Sequence, residues 1–266
     1  MDAFFKDIKY GNFVASEHEL YPVTFDSYSN DTSSFGMGGE SQEEYIGRKT
    51  IPVDYGTTYQ HKLEFSITFI PNPCRKNKLE FTNHEIRSIL REMTGKQFYE
   101  DFYFLDTNGF FDEQLHFRVK LTDDPERIKI NGITGLKFYF TCDSFWAYTA
   151  PKTVTMNLTP GQTFYLYNQS DELNNYLYPV MKIQNCSGDL SITNRSDNSR
   201  ITKINGLTSN ETVTLDSLND IISSTIERTV PFNLNFPRLI PYKNEFMVDN
   251  FCTLIVTFTE LRKVVF

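Results

Sequence analysis

The sequence predicts a mostly β protein, with a single helix among the sheets of its first half and a jelly-roll β-sandwich in its second. Fifteen Tyr and 24 Phe are spread among β-branched residues along the chain, a composition that suits pleated, half-buried surfaces. Only one stretch carries a strong helical period, and the second half is a series of short alternating runs broken by polar or Gly-containing turns. With 266 residues, 39% hydrophobic and 15% aromatic, there is material for one large core or two ordinary ones.

In chain order, Phe4–Ile8 and Tyr21–Phe25 suit short strands, with Pro22 at an edge or strand start. Ser27–Gly39 is rich in Ser, Asn and Gly and reads as a loop. Glu43–Pro52 and Thr58–Ile70 read as a hairpin joined by Val53-Asp54-Tyr55-Gly56. In its second arm His61, Leu63, Phe65, Ile67 and Phe69 share one face. His61 has no second ligand beside it, so it is expected to be structural. The helix follows: Ile86, Ile89, Leu90 and Met93 recur at helical spacing, Thr82 and Glu85 fit a capping box, and Gly95 supplies a stop. Phe98–Leu105 and Phe110–Leu121 return to strand patterns around Asp106-Thr107-Asn108-Gly109. Asp123-Asp124-Pro125 is an acidic turn rather than a catalytic pair.

Residues 136–149 form the seam. Leu136, Phe138, Phe140 and Cys142 alternate with Lys137, Tyr139, Thr141 and Asp143, and the only tryptophan, Trp146, stands just beyond Asp143-Ser144. The boundary is placed here, giving domains 1–142 and 143–266, with Cys142, Asp143 and Trp146 as the structural anchor at the junction. Further strands are expected at Thr153–Leu158, Thr163–Asn168, Pro179–Gln184, Gly188–Asn194, Ser199–Ile204 and Glu211–Asp216. Asn205-Gly206 is among the clearest turn signals. Residues 217–224 suit a helical turn, Phe232, Leu234 and Phe236 an alternating strip, and Cys252–Phe258 a central strand.

The formal net charge is −8. Residues 1–141 hold 16 basic and 22 acidic groups, a net of −6, and residues 142–266 hold 10 and 12, a net of −2. Neither half has the basic surface that replaces phosphate counterions. Cys74, Cys142, Cys186 and Cys252 are scattered without metal-ligand spacing, and His18, His61, His84 and His116 are dispersed. No metal and no cofactor is expected. The nucleotide, nucleophile-elbow and zinc-protease motifs are absent. A glycosidase stays open on residues alone, because two carboxylates can converge from anywhere in a chain. Tyr165, Tyr167, Tyr176 and Tyr178 could stack on a sugar if exposed; core or interface packing is the expected role. The N-terminus lacks a signal-peptide pattern and no stretch reaches membrane-span length, so a chain folded in a cytoplasm is expected.

Several segments, in this order and spacing, resemble the distal tail protein family of long-tailed phages infecting Gram-positive bacteria. In the first half these are Tyr55-Gly56 leading into Leu63–Phe69, then Phe81-Thr82 leading into the Glu85–Leu90 helix. At the seam it is Cys142-Asp-Ser-Phe-Trp-Ala147, the most specific match. In the second half they are Tyr178–Ile183, Gly188–Asn194, Ile204–Leu207, Thr214–Asp216 and Asn244–Val248. The resemblance implies a non-enzymatic hub: an N-terminal belt domain forming a ring, usually of six copies, and an outward galectin-like β-sandwich. Implied partners are other copies of the chain, the tail tube protein, the tape-measure protein, and a tail-associated lysin, fibre or receptor-binding protein. DNA would pass through the ring without specific binding, no membrane is involved, and the place is the tail tip of the virion. The alternative is a carbohydrate-binding protein acting in host-surface adhesion.

Overall fold

The computed structural model describes residues 5–23, 40–47, 50–58, 62–74, 80–107, 109, 113–130, 132–144 and 146–264. The chain divides into two units, Met1–Ala147 with Lys263–Phe266, and Tyr148–Arg262. His61 and the Ser27–Gly39 stretch lie outside the described residues, as do Phe4, Phe25 and Asn108.

The first unit is built on the alternation predicted at the seam. That run becomes β10 (Ile133–Cys142), with Leu136, Phe138, Phe140 and Cys142 buried. The strands in chain order before it are β1 (Asp7–Tyr10), β2 (Phe13–Val14), β3 (Leu20–Val23), β4 (Glu40–Glu44), β5 (Val53–Thr58), β6 (Glu64–Pro71), β7 (Glu100–Leu105), β8 (Leu115–Leu121) and β9 (Glu126–Ile130). The main sheet runs β2-β1-β7-β8-β10-β6-β3, with β9 also paired to β10. Register places Phe140 opposite Phe65 and Phe138 opposite Ile67. Phe140 then meets Tyr10 at 5.6 Å and Phe65 and Phe102 at 5.2 Å, ring centre to ring centre, distances at which aromatic pairs attract beyond their buried area.

The helix α1 (Asn83–Met93) sends Ile89 and Met93 into the same core. Its capping box forms as expected: Glu85 N–H donates to Thr82 Oγ1 at 3.3 Å and Thr82 N–H to Glu85 Oε2 at 2.8 Å. Thr82→Ala removes the acceptor for an orphan helix donor and is expected to cost about 1 kcal/mol in denaturant unfolding; an unchanged midpoint would show that the cap contributes nothing.

The hairpin departs from the sequence reading. β4 pairs with β5 as a separate two-stranded sheet, Glu43 opposite Asp54 and Glu44 opposite Val53, so the reversal falls between Glu44 and Val53. Val53–Thr58, read as turn and strand start, is strand throughout, because Val, Tyr and Thr favour the pleat more than Asp54 and Gly56 oppose it. β6 pairs instead with β10 and β3, which match its Phe65, Ile67, Phe69 phase.

The second unit is a sandwich. Its strands are β11 (Ala147–Thr149, which begins in the first unit), β12 (Lys152–Leu158), β13 (Thr163–Asn168), β14 (Val180–Gln184), β15 (Gly188–Asn194), β16 (Arg200–Leu207), β17 (Val213–Asp216), β18 (Ile221–Ser224), β19 (Tyr242–Val248), β20 (Cys252–Phe258) and β21 (Leu261–Arg262). One sheet runs β12-β20-β14-β17-β18, the other β13-β19-β15-β16. Leu166, Phe246, Leu190 and Ile204 of one and Met181, Ile183, Leu254 and Val256 of the other share one core, the facing-layer arrangement of two packed sheets. β20 lies between two partners, as its unbroken apolar phase predicts.

Asn205-Gly206 is not a turn between strands. It lies inside β16, where the register slips from Leu190 opposite Ile204 to Gly188 opposite Leu207, and Gly206 adopts φ +66°. The turn chemistry marks a β-bulge, and Gly206 N–H is held by Asp189 Oδ1 at 2.9 Å. Residues 217–220 turn and lead into β18 rather than a helix. Phe232, Leu234 and Phe236 form no strand: Leu234 has φ 60° and is exposed, while Phe232 packs edge-on against Phe236 at 4.8 Å.

Candidate functional site

The residues singled out at the seam sit in the first unit. Cys142 ends β10, buried, its N–H donating to the Leu63 carbonyl at 2.8 Å. Burial, with Asp143 adding to it, pushes its thiol up to about 12, so it is an inert buried thiol. Asp143 donates its N–H to the Arg118 carbonyl at 2.8 Å and places Oδ2 3.5 Å from Arg118 Nη1. Trp146 is 7% exposed. The Ser144 hydroxyl bridges its N–H and carbonyl at 3.3 and 3.2 Å, and Lys263 Nζ stands 5.8 Å from its ring centre. Lys263 belongs to the same unit as Trp146, so the chain leaves that unit after Ala147 and rejoins it at Lys263.

A second constellation escaped sequence reading. Within the second unit, next to that point of return, Glu260 is fully buried. Its Oε2 accepts from Lys152 Nζ at 2.6 Å and Arg262 Nη2 at 2.9 Å, and Oε1 from Gln169 N–H at 3.0 Å. Its N–H donates to Thr149 Oγ1 at 3.1 Å, and its carbonyl accepts from Thr149 N–H at 2.9 Å. Burial pushes the carboxyl pKa up, but the Lys152, Gln169 and Arg262 hydrogen bonds outweigh it and hold the group below its ordinary value. The cluster ties the first strands of the unit, β11 and β12, to its last, β21, and to the segment after β13. Arg262 is a local partner, but Lys152, Gln169 and Thr149 come from distant segments, and nothing in Thr-Glu-Leu-Arg signals that they will meet Glu260.

Glu211 makes a comparable knot: Arg228 grips it with two hydrogen bonds of 2.8 and 2.6 Å, and Ser224 Oγ adds one of 2.6 Å. The Arg228 hydrogen bonds lower its pKa from 4.5 to about 2 against the opposing effect of burial, with Ser224 and the Thr208 N–H adding to the lowering. A depressed carboxyl stabilises the folded state fully above about pH 4.5 and loses that contribution as pH falls through about 2. The melting-temperature gap between the wild type and Glu211→Gln should therefore shrink over that interval. A constant gap would contradict the assignment.

Of the two packing roles expected for the tyrosines, core and interface, their exposure overturns the core role. Tyr165 and Tyr167, two residues apart on β13, are 46% and 54% exposed, and Tyr176 and Tyr178 also face solvent. Lys243 Nζ lies 3.9 Å from the Tyr165 ring centre, and the Arg238 guanidinium 3.7 Å from that of Tyr176. Arg238 is itself gripped by Asp197 at 2.7 and 3.1 Å. The alternating pattern of β13 placed these rings on one face, but not which face the core would take. Among the described residues no group of three His, Cys, Asp or Glu could hold a metal ion, and no helix is long and apolar enough to cross a membrane.

Comparison with known families decides the class of protein. Residues 4–144 match a family described as the phage tail protein N-terminal domain, and residues 146–258 one described as the phage tail C-terminal domain. The chain is a phage tail protein. Its place is accordingly the tail of the virion. The fold of this tail protein is shared with the crystal structure of the Dit protein of phage SPP1, described as a paradigm of the hub adsorption apparatus in phages infecting Gram-positive bacteria. The match has a TM-score of 0.63 at 11% identity and covers 95% of this chain and 98% of that one. No curated protein matches the tail protein.

Proposed function

We propose that the chain is the structural, non-enzymatic hub of the tail tip. In this reading residues 1–142 form a ring at the end of the tail tube, and residues 143–266 face the adhesion apparatus as a galectin-like sandwich. DNA leaves through the ring, and the partners are the tube and tape-measure proteins on one side and a lysin, fibre or receptor-binding protein on the other. Cys142, Asp143 and Trp146 anchor the junction. The observation that carries the reading is the continuous match to phage tail domains on a fold shared along almost its whole length with a hub protein. The acidic balance supports it, since a negative wall does not hold passing phosphates. Native mass measurement of the purified protein is expected to give a closed oligomer under assembly conditions; monomers under every condition would sink the reading.

A second reading, glycan binding in host adhesion, is favoured by the exposed Tyr165 and Tyr167 pair. Glycan-array binding that is lost in Tyr165→Ala and Tyr167→Ala is its expected result, and an array without signal ends it.

A further inference from the structure

Two of the four cysteines come together in the second unit. Cys186 and Cys252 are free thiols, 2% and 4% exposed, in the same sandwich core. They lie at the two corners where the chain passes from one sheet to the other, after β14 into β15 and after β19 into β20. These corners run side by side. β14 pairs with β20 as far as Gln184 opposite Thr253. Asn185 then takes a left-handed φ of 53° and donates its side-chain amide to Thr253 Oγ1 at 3.1 Å. Just beyond, the Asn250 side-chain amide donates to the Ser187 and Asp189 carbonyls, both at 2.9 Å.

Cys186 is therefore held between the Asn185–Thr253 and Ser187–Asn250 contacts, and Cys252 between the same two. The extra residue at Asn185 acts as a bulge that shifts the side-chain phase, so Cys186 turns into the core as Ile183 does, towards Cys252. Residues that face each other across antiparallel strands have Cα atoms about 4.5–5.5 Å apart, within the roughly 4.4–6.8 Å that a disulfide spans. Burial raises both thiols, Cys252 to about 12, with Cys186 and then Asp249 adding to the rise at Cys252 and Asp249 adding at Cys186. A hydrogen bond from the Ser187 backbone acts the other way on Cys186, which makes Cys186 the first source of thiolate.

We propose that Cys186 and Cys252 are a disulfide site, reduced while the tail is assembled inside a cell and closed once the particle is outside it. Hydrogen peroxide is the oxidant. The Cys186 thiolate attacks one peroxide oxygen, the O–O bond breaks, and one water leaves a sulfenic acid behind. Cys252 then attacks that sulfur, the S–S bond forms, and the sulfenic oxygen departs as a second water. The sulfurs lose the two electrons that the peroxide gains, and the thiol protons end in the waters. Proximity offsets the small thiolate fraction of Cys252 in the second step. The bond staples the two corners together.

Peroxide treatment of the purified protein tests the chemistry, and released virions test where it happens. After oxidation and unfolding, the Cys186 and Cys252 peptides are expected to be joined and to refuse iodoacetamide. Cys142, equally buried and with its thiol likewise raised to about 12, still takes the label. The melting temperature of the second unit rises by about 5–15 °C, and a reductant reverses the rise. Cys74→Ser behaves as the wild type, and Cys186→Ala and Cys252→Ala show no rise; if either fails to fold, the wild-type peptide map still decides. Virions collected into acid give the joined peptide, and tails from freshly broken cells give the two thiols. Thiols that survive peroxide, Cys186 oxidised alone, virions with both peptides free, or unreleased tails with them already joined would each overturn the proposal.

Discussion

Glu260→Ala is expected to destabilise the second unit by about 3–5 kcal/mol, the usual result of removing one partner from a buried ion cluster. The side chain is 1% exposed. Its removal strips the acceptor from Lys152, Arg262 and the Gln169 N–H at once. Alanine provides no substitute acceptor, so the Gln169 N–H loses its protein partner as well. Glu260→Gln keeps an acceptor but not the charge, so its loss should fall between the wild type and the alanine variant. The check is calorimetry, where the transition of the second unit moves down, because a chain of two units need not unfold in one step. A Glu260→Ala protein with the wild-type profile would remove the cluster from the account.

Trp146→Ala is the second large effect, also about 3–5 kcal/mol, since emptying the volume of a buried Trp forfeits its transfer energy and leaves a cavity. Here the transition that moves should be that of the first unit, to which Trp146 and Lys263 both belong. Lys263→Met, which removes the cation above the ring but keeps an apolar stem, is expected to cost only about 0.5–1 kcal/mol. Equal losses from the two variants would mean that the indole volume is not what matters. If Trp146→Ala retained full stability and normal tail assembly, its proposed role as junction anchor would be wrong.

Much of the fold was legible because local chemistry and tertiary pairing agree. The phase of Leu136–Cys142, the Thr82–Glu85 cap and the apolar run of Cys252–Phe258 each specify one structure, and each is found. Where signals conflict, long-range pairing decides. Asn205-Gly206 carries turn residues, but the flanking Ile204 and Leu207 are both buried in the sandwich, so the chain bulges instead of reversing. The β4–β5 pairing was not legible, because Asp54 and Gly56 carry local turn chemistry while the partners that draw β6 away, β10 and β3, lie elsewhere in the sequence. The Glu260 cluster lay beyond sequence reasoning altogether, as Lys152 and Glu260 are 108 positions apart and meet only once the sandwich has formed. Tyr165 and Tyr167 were legible as a pair on one face, while their exposure depends on which side of β13 the Phe164 and Leu166 core claims.

The most direct test of the hub assignment is to image intact tails carrying a small tag on this chain. The account predicts several copies in one ring at the distal end of the tube, between tube and adhesion apparatus. Label spread along the tube, or tails carrying none, would contradict it.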